Sequence, residues 1–207
     1  MGSDTSILDR LYTMDGGPEV CRDVYADWAR DYDRDTLEGM GYVGPALVAE
    51  ALAEQVAPTA EVLDAGCGTG LAGAELAERG FTTIDGIDVS RDMLDVAADK
   101  KAYRKLAEAD MTAPLSIPDN SYDGVVCVGV FTNGHVGPEA MAELARVTRP
   151  GGVIVATVHE NVWDKENYAD HLAAMEDAGR LKVRQTPIAP YHLKENYQCR
   201  LCVLEAK

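Results

Sequence analysis

Val62-Leu63-Asp64-Ala65-Gly66-Cys67-Gly68-Thr69-Gly70-Leu71-Ala72-Gly73 places four glycines directly behind a short apolar run that carries one acid. An apolar run of this length, stopped by glycine, reads as a buried strand over 60–66. LAGAELAERG (71–80) then reads as a helix stopped by Gly80. Glycines at 66, 68 and 70 are more than a turn requires. They let a ligand approach the backbone, and the helix behind them offers free N–H groups at its start. Two registers fit the stretch. Gly68 to Gly73 matches G-x-G-x-x-G, the dinucleotide pattern, and Asp64 to Gly70 matches D-x-G-x-G-x-G.

Outward from this stretch, strands and helices alternate. TTIDGIDVS (82–90) reads as a second strand, with Ser90 placed to cap the helix RDMLDVAADKKA. KLAEADM (105–111) is a short third strand and NSYDGVVCVGVF (120–131) a β-branched fourth. GPEAMAELARVTR (137–149) is a helix ended by Pro150 and two glycines, and GGVIVATVHE (151–160) is a fifth strand. This spacing implies βαβ units, hence a parallel sheet covered on both faces. The tail breaks the rhythm. After a helix over 163–179, the segments LKVRQTPIAPY and YQCRLCVLEAK are too close for a parallel crossover, so they form an antiparallel hairpin at one sheet edge. Upstream, PEVCRDVYADWARDYD (18–33) has near-helical apolar spacing, and PALVAEALAEQV starts a second helix at Pro45.

The chain has 207 residues, the size of one domain. Its net charge of -16 repels a phosphate backbone, which argues against nucleic acid, and it is equally unfavourable for anionic membranes. GVVCVGVF, eight residues, is its longest apolar run, far short of the roughly 20 needed for a membrane span. Five scattered cysteines and a polar, acidic start read as a reduced, cytoplasmic protein. Cys199 and Cys202 look like a C-x-x-C pair, but in a strand they face opposite sides and cannot close as a redox couple.

The chemistry of a ligand at the glycine loop follows from the acids around it. Asp88 ends the second strand, 22 residues past Gly66, where a carboxylate accepts both hydroxyl protons of a ribose or else caps the next helix. Asp110 offers an acceptor for an exocyclic amino group, and Met111 or Met93 offers flat apolar surface. The alternative is an exposed loop acid beside core methionines. Asp64 opposes a pyrophosphate but suits a ligand with a positive centre. It can equally stand one layer back and bond the loop's own N–H groups.

DAGCGTG, Asp88 in GIDVS, Ala109-Asp110-Met111, YDGVVCVGVF and RPGGVIV, in this order, resemble class I S-adenosylmethionine-dependent methyltransferases from about residue 20 onward. VYADWARDYD is similar to the opening of the Williams–Beuren region methyltransferase-like group. The resemblance implies an α/β fold: a Rossmann-like, seven-stranded, mostly parallel sheet with an antiparallel C-terminal hairpin and helices on both faces. It implies a helical cap segment over 1–45 and a cofactor-binding domain over 46–207. It implies S-adenosyl-L-methionine as cofactor, with Gly66, Cys67, Gly68 and Gly70 along its methionine part and Asp64 behind its amino group. Asp88 would take the ribose hydroxyls, Val89 would pack on the adenine, and Asp110 and Met111 would hold its edge. Val128 would contact the sulfonium side through its backbone. Tyr25 and Tyr32 would close over the cofactor, unless they are ordinary helix core.

Methyl transfer from a sulfonium is an in-line displacement that needs alignment and exclusion of water, with a base only where the nucleophile starts protonated. Asn133 and His135, on the loop after the fourth strand, are the catalytic candidates, His135 being alternatively a loop or cap histidine. His159, Glu160, Trp163, Tyr191 and His192 either face the mouth or pack. No spacing suggests a metal site. The small insertions between strands point to a small-molecule acceptor, or to an exposed group on a larger partner, with the last loop near 187–196 as one wall. A non-catalytic cofactor-binding module and a nicotinamide-dependent oxidoreductase are the competing readings. The oligomeric state is not written in the sequence.

Overall fold

The structure, a computed structural model, describes residues 28–134 and 136–207. A turn at Trp28 leads into a π-helix, Arg34–Met40, ended by Gly41 at a φ of 67°. Then follow α1 (Gly44–Ala53), β1 (Glu61–Ala65), α2 (Leu71–Glu78), β2 (Thr83–Asp88), α3 (Arg91–Asp99), β3 (Lys105–Glu108) and β4 (Tyr122–Phe131). A short 3-10 turn leads to α4 (Met141–Val147), β5 (Thr148–His159), α5 (Glu160–Trp163), α6 (Tyr168–Asp177), β6 (Leu181–Gln185), β7 (Ile188–His192) and β8 (Tyr197–Ala206).

The period-two alternation of the central strands builds two apolar layers. Leu63, Val125, Cys127, Ile154, Cys202 and Leu204 face one side, where Met141 and Leu144 of α4 and Leu172 and Met175 of α6 cover them. Val62, Val126, Val155, Leu201 and Val203 face the other, against Val48 and Leu52 of α1 and Leu76 of α2. Each fully buried aliphatic side chain contributes about 2 kcal/mol relative to exposure. Cys199 and Cys202 fall in opposite layers, both as free thiols, as their spacing demands.

The sheet runs β3-β2-β1-β4-β5-β8-β6, with β1 to β5 parallel and β8 antiparallel to β5. Among the described residues the count is eight strands rather than seven. β6 and β7 pair in succession with the same edge of β8, and the break between them holds Thr186 and Pro187. Proline has no N–H to give the ladder, so the edge strand divides there. The helix expected over 163–179 also divides, because Asn167 sits left-handed at a φ of 53° between α5 and α6. Ser90 caps α3 as expected, its hydroxyl accepting the Met93 N–H.

The chain reverses where β1 is flanked by β2 on one side and β4 on the other. That arrangement opens a crevice at the carboxyl ends of the strands. The segment before α1 is stitched to the far hairpin. Tyr42 bridges His192, and the Val43 N–H donates to the Tyr191 carbonyl. Among the described residues, no helix is long and apolar enough to cross a membrane.

Candidate functional site

The glycine loop leaves β1 and is pinned at once to β2, because the Gly66 and Cys67 N–H groups both donate to the Ile87 carbonyl, at 2.8 and 2.9 Å. Each glycine then answers a different demand. A Cβ on Gly66 would lie 2.2 Å from Val130 Cγ2, and Gly66 also has a φ of +74°. Cβ atoms on Gly70 and Gly73 would press on the Tyr103 ring, at 3.0 and 2.3 Å. Gly68, at a φ of +52°, is the exception: a Cβ there would meet nothing within 4 Å. Gly66, Gly70 and Gly73 therefore make room for side chains of the fold, while Gly68 leaves bare backbone facing open space.

Both oxygens of Asp88 are tied to backbone. Oδ2 accepts the Gly68 N–H at 2.8 Å and Oδ1 accepts the Ser90 N–H at 2.9 Å. Burial raises its pKa, and these N–H groups oppose the rise. Asp88 thus shapes the loop, a part the sequence had offered to Asp64. Asp64 is wholly buried and accepts the Tyr103 hydroxyl on Oδ2 at 2.7 Å. Its Oδ1 is buried and accepts no hydrogen bond from the described residues. Burial pushes its pKa up to about 7, the Tyr103 bond opposes that, and the Asp88 charge adds to it. Asp110 Oδ1 accepts both the N–H and the hydroxyl of Thr112, at 2.8 and 2.7 Å, which fixes its rotamer.

One cleft lies at this end of the sheet. Of the residues singled out in the sequence, Tyr32, Gly66, Gly68, Asp88, Val89, Met93, Asp110, Met111 and Val128 line it. Ala109, Thr112, Gly129, Val130 and Val136 line it too. Gly129 was detectable in principle: a glycine inside a strand run marks a bulge. The β4–β5 register shifts there, and Gly129 takes a φ of 78°.

Other expected residues stand back from the cleft. Asp64 and Gly70 lie behind its lining, and Cys67 turns its thiol beneath the loop toward Gly86. Burial pushes the Cys67 thiol up. Asn133 does not line the cleft either; its side-chain oxygen accepts from Lys165 Nζ at 2.9 Å. Tyr25 and His135 lie outside the described residues.

The aromatic and histidine candidates pack. His159 Nδ1 accepts the Asn161 N–H and caps α5, with Tyr191 and Tyr197 against its ring. Burial lowers the pKa of His159 and takes that of His192 down to about 4. Glu160 accepts the Gln198 N–H, and Trp163 lies under the Arg200 guanidinium, 5.2 Å away. Tyr103, Asp33 and Lys100 were missed, and nothing local in the sequence marks them.

A methyltransferase-domain family model matches residues 63–156. Human methyltransferase-like protein 27 is 33% identical over 187 residues, covering 86% of this chain and 76% of that protein. The demethylmenaquinone methyltransferase of Tropheryma whipplei is 31% identical over 137 residues, and the chain covers 56% of its length. For the malonyl-[acyl-carrier protein] O-methyltransferase of Serratia marcescens the figures are 38% identity over 100 residues and 38% of its length. Among solved structures, a methyltransferase from Haloferax volcanii in complex with the Trm112 activator superposes with a TM-score of 0.69 at 23% identity, covering 89% of this chain and 96% of that one. A TehB-like S-adenosylmethionine-dependent methyltransferase from Corynebacterium glutamicum gives 0.65 at 21% identity, with 88% and 98% covered. At these identities the structural likeness carries the fold alone.

The cleft fits the cofactor these proteins imply, since it combines open backbone at Gly68, two carboxylates and apolar walls. On its relationship to the human protein and on its sheet order, the chain belongs to the class I S-adenosylmethionine-dependent methyltransferases.

Proposed function

We propose that the chain methylates a small-molecule acceptor from S-adenosylmethionine held in this cleft. The observation that carries the reading is the open backbone at Gly68, bonded to Asp88 and sharing with Asp88 and Asp110 a cleft otherwise walled largely by apolar residues. When bound, the cofactor supplies a methyl group already activated by its sulfonium. The residues around it then have to bind, orient and exclude water.

In this assignment Asp88 accepts the ribose hydroxyls on lone pairs its two backbone bonds leave over. Val89, Met93 and Met111 enclose the adenine, and Asp110, held by Thr112, faces its amino group. Gly66 and Gly68 lie along the methionine part, with Cys67 and Gly70 shaping the loop from behind. Asp64 stands behind the loop as a countercharge for the cofactor's ammonium, and a neighbouring cation would draw its carboxyl back toward the ionised form. Val128 meets the sulfonium side, and the uncharged stretch Val128–Val130 suits a step in which positive charge is lost. Tyr32 closes the cleft, with Tyr25 assigned the same part. Asn133 and His135 are the acceptor-side candidates, on the loop after β4.

The acidity of the chain supports a small acceptor over a nucleic acid. So does the relative named for demethylmenaquinone. The test is incubation of the purified chain with methyl-labelled cofactor and a panel of small carboxylates, thiols, phenols, quinols and amines. Parallel arms hold transfer RNA or total protein, each with and without Trm112. Label in a small product is the expected result. Label confined to a macromolecule, or appearing only with Trm112 present, would overturn the small-molecule assignment.

A further inference from the structure

Asp33 is unused by the function described so far, yet it joins three elements distant in sequence. Its Oδ1 accepts the Thr69 hydroxyl at 2.5 Å, and its Oδ2 accepts Lys100 Nζ at 2.6 Å. Lys100 also donates to the Thr69 carbonyl at 2.7 Å, so the three residues close a triangle. Thr69 is buried, and the side chains of Lys100 and Asp33 are only 20% and 33% exposed. Charge-assisted bonds in such partly dry surroundings are stronger than those of an exposed pair.

The place of the triangle gives it meaning. Asp33 directly follows Tyr32, and Thr69 directly follows Gly68; both neighbours line the cleft. Lys100 anchors the pair to the end of α3, whose Met93 lines the cleft too. On the other side of Tyr32, Trp28 is buried, stacks edge-on against the Tyr32 ring and donates from Nε1 to Asp35. Beyond the backbone pairing of 40–43 with the last hairpin, side-chain bonds thus hold the leading segment around Tyr32 and help to seat Tyr32 on the cleft.

We propose that Asp33, Lys100 and Thr69 form a clamp that seats Tyr32 over the bound cofactor. Asp33 and Lys100 are positioning residues: they act on the cofactor through Tyr32 and the glycine loop. The proposal rests on the cleft assignment above. A clamp that closes over its ligand governs escape more than entry, so its loss speeds dissociation more than it slows association.

The test measures S-adenosylhomocysteine affinity by calorimetry and its release by stopped flow, in wild type, Asp33→Asn, Lys100→Met and the double variant. Trp28 emission is followed in a Trp163→Phe background, which leaves Trp28 as the sole tryptophan. Each single variant is expected to bind about tenfold more weakly, about 1.4 kcal/mol, mainly through faster release. The double variant is expected to be no weaker than either single, and Trp28 emission to shift to the red. Singles that bind within twofold of wild type overturn the clamp, as does a double variant whose losses multiply while Trp28 emission stays unchanged. If Asp33→Asn fails to fold, Lys100→Met with Thr69→Val completes the same cycle and leaves the leading segment's sequence intact. A wild-type chain that does not bind S-adenosylhomocysteine would remove the cleft assignment itself, a failure distinct from that of the clamp.

Discussion

The two ends of this one sheet treat carboxylates in opposite ways. At the amino ends of the strands, Arg104 bridges Glu61 and Asp85, and Arg149 bridges Glu61 and Asp123. Bonds from Arg149 and Arg104 hold Glu61 below the usual carboxylate range. Asp85 stays low despite its burial because Arg104 and Tyr122 bond it, and Asp123 stays low through Glu61 and Arg149. At the carboxyl ends, Asp64 and Asp88 have, among the described residues, no cationic side chain beside them and are pushed upward by burial. Acids with arginine partners tie strands together. In the proposed assignment, the acids left with N–H groups and a phenol would meet the charge and hydroxyls that the cofactor brings.

Asp88→Ala should break the cleft end hardest. It removes the acceptor of the Gly68 and Ser90 N–H groups and the proposed ribose partner, so S-adenosylhomocysteine affinity should fall about a hundredfold by calorimetry, about 3 kcal/mol. Asp64→Asn sharpens the contrast through pH. In the folded state the Asp64 pKa is about 7, above its ordinary value of 3.8, so its ionisation costs stability increasingly from about pH 4 to pH 7. The unliganded Asn variant should accordingly gain about 2 kcal/mol more over wild type at pH 8 than at pH 5 in thermal melts. A gain that shrinks as pH rises would contradict the assignment.

Gly73→Ala tests the support beneath the loop. Its Cβ would fall 2.3 Å from the Tyr103 ring and hydroxyl, displacing the phenol from Asp64 and costing about 2 kcal/mol in denaturant unfolding. The smallest effect belongs to the amino end. Arg149→Met breaks two half-exposed ion pairs and should cost about 1 kcal/mol, with cofactor affinity unchanged. A loss of affinity there would mean the two ends are coupled.

Much of the site could be read from local pattern because it depends on local pattern. The glycine spacing, the acids at strand ends and the methionines after β2 and β3 sit within a few residues of the turns that deliver them to one crevice. Tyr103 could not be read that way. It lies on a loop after α3 and reaches Asp64 across 39 positions, and the space for its ring comes from Gly70, Gly73 and Gly86 on two separate stretches. The same holds for Asp33 and Lys100, 67 positions apart. Glu160 and Trp163 had the composition of a cleft mouth, but the turn after β5 commits them to Gln198 and Arg200.

The sequence by itself determined the order of strands and helices, the face each strand residue takes, the cap at Ser90 and the bare loop after β1. All of these follow from backbone sterics and from the period of two or 3.6 residues. Only the tertiary structure decided which glycines serve packing and which one opens onto the cleft, which acid braces the loop and which is left, among the described residues, without a cation. Those outcomes depend on what arrives from distant segments, and burial changes a carboxyl's properties only once the fold has closed around it.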